Sequence, residues 1–159
     1  MRKIVNLPLY DEFMDIFMNH EICNWQAKNF WEKINLSQTY GSYERRRQMY
    51  AGLKVLVKYN YLEIDFNSST KRAYSYKERP RLEELRNKYK KHQLEKIFST
   101  KKIELLSQIK EKENNINFIQ NILDEDNSLE KYFTLHRQKL QNDIKVINSN
   151  IKFMTDILN

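Results

Sequence analysis

The side chains that most often carry catalysis or hold metal ions are few in this sequence and lie far apart. The histidines are His20, His92 and His136, and there is a single cysteine, Cys23. A metal site or a nucleophilic centre needs several such side chains at a short and regular spacing, and no such spacing occurs here. We therefore expect no enzymatic activity, no bound metal and no cofactor.

Two other kinds of ligand-binding loop, one for calcium and one for phosphate, also lack the residues that they need. The acidic run 124–126 has the charge of a calcium-binding loop, but an EF-hand that begins there needs glycine in place of Leu129 and glutamate in place of Leu135. Loops that cradle phosphate groups need several glycines, and the chain has two. We interpret the acidic run as a solvated turn and expect no small-molecule ligand.

The positive charge of the chain is concentrated in one part of the sequence, residues 40–81. Residues 40–81 carry ten basic and four acidic side chains, whereas residues 1–39 carry four basic and five acidic ones. The remaining residues, 82–159, carry fourteen basic and twelve acidic side chains. A clustered positive charge attracts a polyanion, because neutralising phosphates releases counterions. The window 40–81 therefore favours a nucleic-acid partner, the alternative being a solvated basic face.

Within this window an arginine triplet, residues 45–47, lies at the start of a helical pattern. Positive charge at a helix N-terminus opposes the helix dipole, so the triplet has no stabilising role there. A recognition helix, by contrast, presents its N-terminal residues to phosphates and base edges, contacts that arginine, lysine and tyrosine make well. The residues expected to contact double-stranded DNA are Ser42, Tyr43, Arg45, Arg46, Arg47, Tyr50, Lys54, Lys71 and Arg72.

The elements that position these residues follow from hydrophobic periodicity and from helix-capping residues. Apolar side chains at helical spacing predict three helices, with Asn24 capping the second and Ser42 the third. The predicted elements are a helix over 9–19, a short strand over 21–23, a helix over 25–34, a turn over 35–41 and a basic helix over 43–59.

A β-hairpin is predicted after the third helix. Apolar residues alternate with acidic ones over 61–66, which is the period-two pattern of a strand. The segment 67–70 has turn composition, and alternating tyrosines over 71–77 predict the returning strand. The hairpin would carry Lys71 and Arg72 near its tip.

This order of elements resembles the winged helix-turn-helix. Over residues 9–77 the sequence is also similar to PadR-type regulators: segment 50–56, Tyr-Ala-Gly-Leu-Lys-Val-Leu, resembles their recognition helix, and segment 71–74, Lys-Arg-Ala-Tyr, resembles their basic wing. Asn60 departs from the pattern, because a glycine usually ends this helix. The resemblance implies that the third helix enters the major groove and that the wing reaches the backbone or the minor groove.

The second half of the sequence has the repeat of a coiled coil. From residue 81 onward there is no glycine or proline, and apolar residues recur at alternating steps of three and four. The pattern predicts helices over 81–123 and 129–158 that fold back as an antiparallel hairpin. Such a hairpin buries its apolar stripes only in part, so we expect a second copy to cover them. The residues expected at this dimer contact are Leu105, Ile109, Ile116, Ile119, Leu140, Ile144, Ile147 and Ile151.

The predicted fold is mainly α with a small β-wing. It joins an N-terminal winged helix-turn-helix DNA-binding domain, residues 1–80, to a long antiparallel helical hairpin or coiled coil, residues 81–159. No apolar run is long enough to span a bilayer, and one cysteine suits a reducing compartment, so we expect a cytoplasmic protein. The predicted function is sequence-specific DNA binding as a homodimeric transcriptional regulator. The alternatives are a protein-interaction adaptor and a DNA-binding protein of plasmid or phage replication, partition or the nucleoid.

Overall fold

The structure is a computed structural model and describes residues 6–34 and 42–159. It is mainly helical with one two-stranded antiparallel sheet, which confirms the predicted class at that level. The predicted turn over 35–41 lies outside the described residues. The elements are α1 Tyr10–Asn19, α2 Ala27–Ile34, α3 Ser42–Lys58, β1 Leu62–Ile64, β2 Tyr76–Glu78, α4 Pro80–Glu125 and α5 Glu130–Leu158.

The chain forms two compact units, Met1–Lys90 and Lys91–Asn159. The division falls inside α4, because the first turns of this helix belong to the core of the first unit. Leu82 and Leu85 are buried in that core, and Tyr89 packs against it. These apolar residues therefore find their partners within their own chain.

The core of the first unit is built from one face of each helix and one face of the hairpin. Apolar residues three and four apart lie on the same side of a helix, so each of the three short helices presents a continuous stripe inward. Aromatic rings dominate the centre, where Phe13 contacts both Phe17 and Phe30. The fully or nearly fully buried side chains of α1, α2 and α3 are Phe13, Met14, Ile16, Phe17, Phe30, Ile34, Met49, Leu53 and Leu56.

The segment between α1 and α2 differs from the prediction. Residues 21–23 do not form a strand, although the Ile22 carbonyl accepts a hydrogen bond from the Glu78 N–H at 2.9 Å. Strand-like pairing occurs two residues later, as an isolated antiparallel bridge between Trp25 and Tyr76. Trp25, which we predicted inside the second helix, thus lies beside the sheet.

The start of α2 also has a different cap from the predicted one. Asn24 adopts a left-handed backbone with φ of 54° and lies before the helix, which begins at Ala27. The side-chain oxygen of Asn29 accepts a hydrogen bond from the Gln26 N–H at 2.7 Å. An oxygen in the first turn that reaches back to the residue before the helix is half of a capping box. The predicted cap at Asn24 is therefore wrong, and the local side-chain bond at this helix start is the one from the Gln26 N–H to Asn29.

Asn60 ends α3 in the conformation that usually requires glycine. Its φ is 62°, and asparagine tolerates this left-handed region better than most residues. The Asn60 N–H donates to the Val57 carbonyl at 3.1 Å, and the Tyr61 N–H donates to the Leu56 carbonyl at 2.9 Å. These two bonds are those of a Schellman motif, which satisfies the last carbonyls of the helix. The departure noted in the sequence is thus compatible with a sharp helix end.

Gly52 allows α3 to approach α1 closely, and this contact yields a stability prediction. A Cβ atom at Gly52 would lie 2.4 Å from Cε2 of the buried Phe13 and 3.1 Å from the Pro8 carbonyl oxygen. We expect Gly52→Ala to lower the free energy of unfolding by about 1–3 kcal/mol, because the fully buried ring of Phe13 would have to shift within the core. Alanine's helix preference, worth about 1 kcal/mol, offsets part of this loss. Urea unfolding of the variant measures the change.

The neighbouring position provides the control for this prediction. Ala51 is exposed, so Ala51→Gly changes only the helix preference and should be destabilising by about 1 kcal/mol. If Gly52→Ala instead stabilises the protein, the close approach of the two helices is not limiting and the expectation is wrong.

The hairpin strands are shorter than predicted. β1 and β2 pair over three residues each, with Glu63 opposite Lys77 at the centre of the register. The segments 61–66 and 71–77 were expected to be strands throughout. Residues 65–75 instead form a long loop, because polar side chains within it bond to its own backbone.

Arg86 fastens the start of α4 to the rest of the first unit. Its guanidinium donates to both carboxylate oxygens of Glu78, at 2.9 and 2.7 Å, and to Glu83 at 3.1 Å. It also donates to the carbonyl oxygens of Phe17, at 2.7 Å, and His20, at 3.1 Å, at the end of α1. The Arg86 side chain is 11% exposed and that of Glu78 is 24% exposed, so the bonds between them are largely shielded from water, whereas Glu83 is 58% exposed. One arginine therefore joins α1, β2 and α4.

In the second unit α4 and α5 pack along an apolar seam within one chain. Leu105 and Ile109 of α4 cluster with Ile147 of α5, and Ile144 and Ile151 pack against them. Ile119 is also buried, while Ile116 and Leu140 are half-buried. Most residues that we expected at a dimer contact thus pack, at least in part, against the other helix of their own chain.

The hairpin of the second unit also contains an ion pair between its two helices. The Lys112 ammonium donates to the Asp143 carboxylate across the hairpin at 3.1 Å.

In the turn between α4 and α5, Asp126 accepts a hydrogen bond from the Ser128 N–H at 3.0 Å. The acidic run is therefore used locally, as a capped turn between the helices.

Candidate nucleic-acid interface

The outward face of α3 is basic and aromatic. Tyr43 is 81% exposed and Tyr50 47% exposed, and Arg46, Arg47 and Lys54 are exposed as well. Together with Ala51 these five residues line a shallow groove, which we call the α3 face. They lie at helical spacings of three and four opposite the buried Met49, Leu53 and Leu56, so helix periodicity alone separates the two sides. Ser42, the first residue of α3, is also exposed.

The three arginines at the start of α3 have three different surroundings. Arg45 is only 18% exposed and pairs with Glu12 of α1 at 2.9 Å. Arg46 lies over the Trp31 ring of α2, with its guanidinium carbon 5.4 Å from the ring centre, a cation–π contact. Arg47 is exposed and has no salt-bridge partner among the described residues. The structure thus gives Arg45 an internal role and leaves Arg46 and Arg47 on the outward face.

The α3 face and the hairpin share a neighbour in Tyr76 of β2. Burial raises the pKa of the Tyr76 phenol, and the nearby phenols of Tyr50 and Tyr74 raise it further. Tyr50 belongs to the α3 face and Tyr74 to the hairpin loop. One phenol of the α3 face and one of the hairpin loop thus act on the pKa of the same buried side chain.

The hairpin loop is held by its own side chains. Ser69 Oγ donates to the Asp65 carbonyl oxygen at 2.6 Å and accepts from the Ser75 N–H at 2.9 Å. The Asp65 carboxylate accepts from the Asn67 N–H, and Thr70 Oγ1 accepts from the Ala73 N–H. Short polar side chains of this kind replace strand pairing with local turns. This competition explains why both strands end earlier than their alternating pattern predicts.

The loop presents both cations and aromatic rings to solvent. Lys71 and Arg72 are exposed at its tip, as predicted from the sequence. In the same loop Phe66 is 74% exposed and Tyr74 is 55% exposed. Their rings pack in a T-shaped arrangement, with 6.4 Å between the ring centroids and an angle of 84° between the ring planes. Sequence reasoning missed these two residues, because it assigned them to alternating strands with one side packed inward. We call these four residues the wing tip.

The described residues contain no candidate metal centre and no candidate membrane span, and the exposed feature of the first unit is positive charge. In the described ranges no group of three or more histidine, cysteine, aspartate or glutamate side chains is placed to hold a metal ion. Within the same ranges no helix is long and apolar enough to cross a bilayer. What the first unit offers is a helix face and a loop tip that both carry exposed cations next to aromatic rings.

No family model, no curated protein and no solved structure matches this chain.

Proposed function

We propose that the protein binds double-stranded DNA in a sequence-specific manner, acts as a transcriptional regulator and works as a homodimer. In this proposal the first unit is a winged helix-turn-helix whose α3 face enters the major groove. The wing tip contacts the adjacent backbone or minor groove. The order of α1, α2, α3 and the hairpin supports this arrangement, since it is that of winged helices with a recognition helix in third place.

The observation that carries the proposal is the outward placement of Arg47 and Lys54 on α3. Exposed cations on one face of a helix, without internal partners to neutralise them, are the electrostatic footprint of a nucleic-acid contact. Arg45 provides the contrast within the same triplet, because its charge is used by Glu12. Arginine on such a face can donate two hydrogen bonds to guanine, and the tyrosines beside it can contact phosphates.

The experiment that tests the proposal is selection of bound duplexes from random oligonucleotides, followed by affinity measurements over a range of salt concentrations. We expect an enriched sequence motif and an affinity that falls steeply with salt, because phosphate contacts release counterions. A protein that enriches no motif and ignores duplexes at low salt contradicts the proposal.

Two alanine variants separate base reading from backbone contact. Arg47→Ala is expected to reduce affinity for the selected site by roughly 1–3 kcal/mol and to relax the sequence preference. Lys71→Ala should weaken binding to all duplexes alike and lower the slope of log affinity against log salt by about one. Mobility shifts on selected and scrambled duplexes measure both effects.

The control for these variants lies in the second unit. Lys145 is an exposed lysine of α5, so Lys145→Ala removes one positive charge that belongs to neither the α3 face nor the wing tip. Its affinity should match the wild type. If Arg47→Ala and Lys71→Ala behave like this control, the assignment of the contact residues is wrong.

A second candidate function is an adaptor that binds another protein. The exposed Phe66 and Tyr74 favour it, because aromatic side chains are enriched at protein interfaces. The salt series separates the two functions, since the adaptor would show no salt-dependent affinity for duplexes.

A further inference from the structure

Helix α5 has two apolar stripes, and α4 covers only one of them. Ile144, Ile147 and Ile151 form the covered stripe. The second stripe lies about 120° around the helix, at 100° per residue. Its apolar members remain open to solvent: Leu135 is 76% exposed, Val146 60%, Phe153 65% and Ile157 46%.

Polar residues complete the second stripe at the same helical position. Lys139, Asn142 and Asn150 lie between the apolar members and are exposed too. The result is a row of seven residues that repeats every eleven positions, which we call the outer stripe: Leu135, Lys139, Asn142, Val146, Asn150, Phe153 and Ile157.

The spacing of the outer stripe is the same in both directions along the helix. Its steps are four, three and four residues from Leu135 to Val146, and four, three and four residues from Val146 to Ile157. The residue types follow the same symmetry at three places, with Val146 at the centre, an asparagine four residues to either side, and a branched aliphatic residue at each end. A row that reads alike in both directions matches itself when a second copy runs antiparallel.

We propose that the outer stripe of α5 binds the outer stripe of a second copy of this chain, antiparallel and around a two-fold axis at Val146. In this register Asn142 faces the partner's Asn150, and this pair occurs twice because a two-fold contact repeats every pairing. Leu135 faces the partner's Ile157, and Lys139 faces the partner's Phe153. The proposal deepens the dimer part of the proposed function and rests on it, while replacing the contact residues expected from the sequence.

Surface area and polarity both fit a second copy. A specific interface buries roughly 1,000 Å² or more in total, and four largely exposed apolar side chains per copy with the polar side chains between them supply an area of this order. Asparagine pairs inside an apolar helix contact can bond to each other and fix the register. A stripe with two such asparagines therefore fits one antiparallel alignment better than a slipped one.

Charge pairs at the two asparagine positions test the orientation. Asn142→Lys with Asn150→Lys places lysine against lysine at both pairs, so we expect the dimer Kd to rise on the order of 100-fold. Asn142→Lys with Asn150→Glu places lysine against glutamate in the antiparallel register and should keep the dimer. Both double variants alter exposed positions, and positions 142 and 150 are too far apart within one helix to pair. Analytical ultracentrifugation measures the mass of each.

The charge control uses the exposed Gln138 and Gln141, which lie outside the outer stripe. Gln138→Lys with Gln141→Lys adds the same charge as the lysine double variant and should remain dimeric. If the lysine–glutamate variant dissociates like the lysine–lysine variant, the antiparallel pairing is wrong. If neither dissociates, the outer stripe is not the contact.

A single cysteine tests the position of the two-fold axis. In a Cys23→Ser background, Val146→Cys should form a disulfide-linked dimer under mild oxidation, because position 146 faces itself. Gln141→Cys in the same background should not. Equal cross-linking of both variants, or none at position 146, overturns the register.

The mass of the wild-type protein separates this inference from the proposed function. A monomer at micromolar concentration overturns both the dimer and the outer stripe, whatever the DNA measurements show. A dimer that survives the lysine–lysine variant overturns the outer stripe alone. DNA binding is measured independently, so its failure leaves the mass and cross-linking results decisive for α5.

Discussion

Replacing Arg86 by methionine is expected to lower the free energy of unfolding by about 3–5 kcal/mol. Removal of the guanidinium leaves the carboxylate of Glu78 largely shielded from water and without its charged partner. Glu78 would lose both of its bonds to the guanidinium, and the carbonyl oxygens of Phe17 and His20 would lose their donors. Methionine keeps most of the side-chain volume, so the loss reports on the polar contacts. Urea unfolding, followed by circular dichroism, measures it.

Arg79 supplies the matched control for Arg86. It pairs with Glu63 at 3.1 Å, but its side chain is 45% exposed. Because exposed ion pairs contribute roughly 0–1 kcal/mol, Arg79→Met should change stability little. An Arg86→Met variant no less stable than Arg79→Met would show that Arg86 does not hold α4 to the first unit.

The same contact gives the pH dependence of stability a definite sign. The hydrogen bonds from Arg86, helped by the Ile22 N–H, lower the pKa of the Glu78 carboxyl below its ordinary value of 4.5. A depressed pKa stabilises the fold fully above 4.5, and this contribution is lost as the pH falls through the lower folded-state value. We expect Arg86→Met to lose less stability than the wild type over that acidic range. Unfolding curves measured at several pH values below 5 test this.

Reversing two charges on the α3 face is expected to have the largest effect on DNA binding. Arg47→Glu with Lys54→Glu removes two exposed cations and places two carboxylates where phosphates would lie. Like charges brought together at an interface cost several kcal/mol, so affinity should fall on the order of 100-fold or more. Fluorescence anisotropy on a selected duplex measures the change.

The control for net charge is Lys145→Glu with Lys152→Glu, two exposed lysines of α5 that lie outside the outer stripe. It changes the total charge by the same amount and should reduce affinity only slightly. If the two double variants weaken binding equally, only net charge matters, and α3 has no special part in DNA binding.

Sequence periodicity predicted the helices well and the sheet region less well. The five helices match the predicted ones within two residues at each end, because apolar spacing and turn composition are local signals. The strands failed where local hydrogen bonds outweighed the alternating pattern, as in the loop over 65–75, where Asp65, Ser69 and Thr70 bond to the backbone. The placement of Trp25 inside the second helix was wrong for a different reason. Trp25 pairs with Tyr76, which is distant in the sequence, so local patterns do not reveal the bridge.

By itself the sequence determined the mainly helical class, the concentration of positive charge in one window and the apolar repeat of the last two helices. The tertiary structure decided how similar residues divide their roles. In the fold Arg45 pairs with Glu12 while Arg47 is exposed to solvent, and α4 covers one stripe of α5 while Val146 and Phe153 stay exposed. The physical reason is that composition and periodicity are properties of neighbours in the chain. The surroundings of a side chain depend on contacts between residues far apart in it.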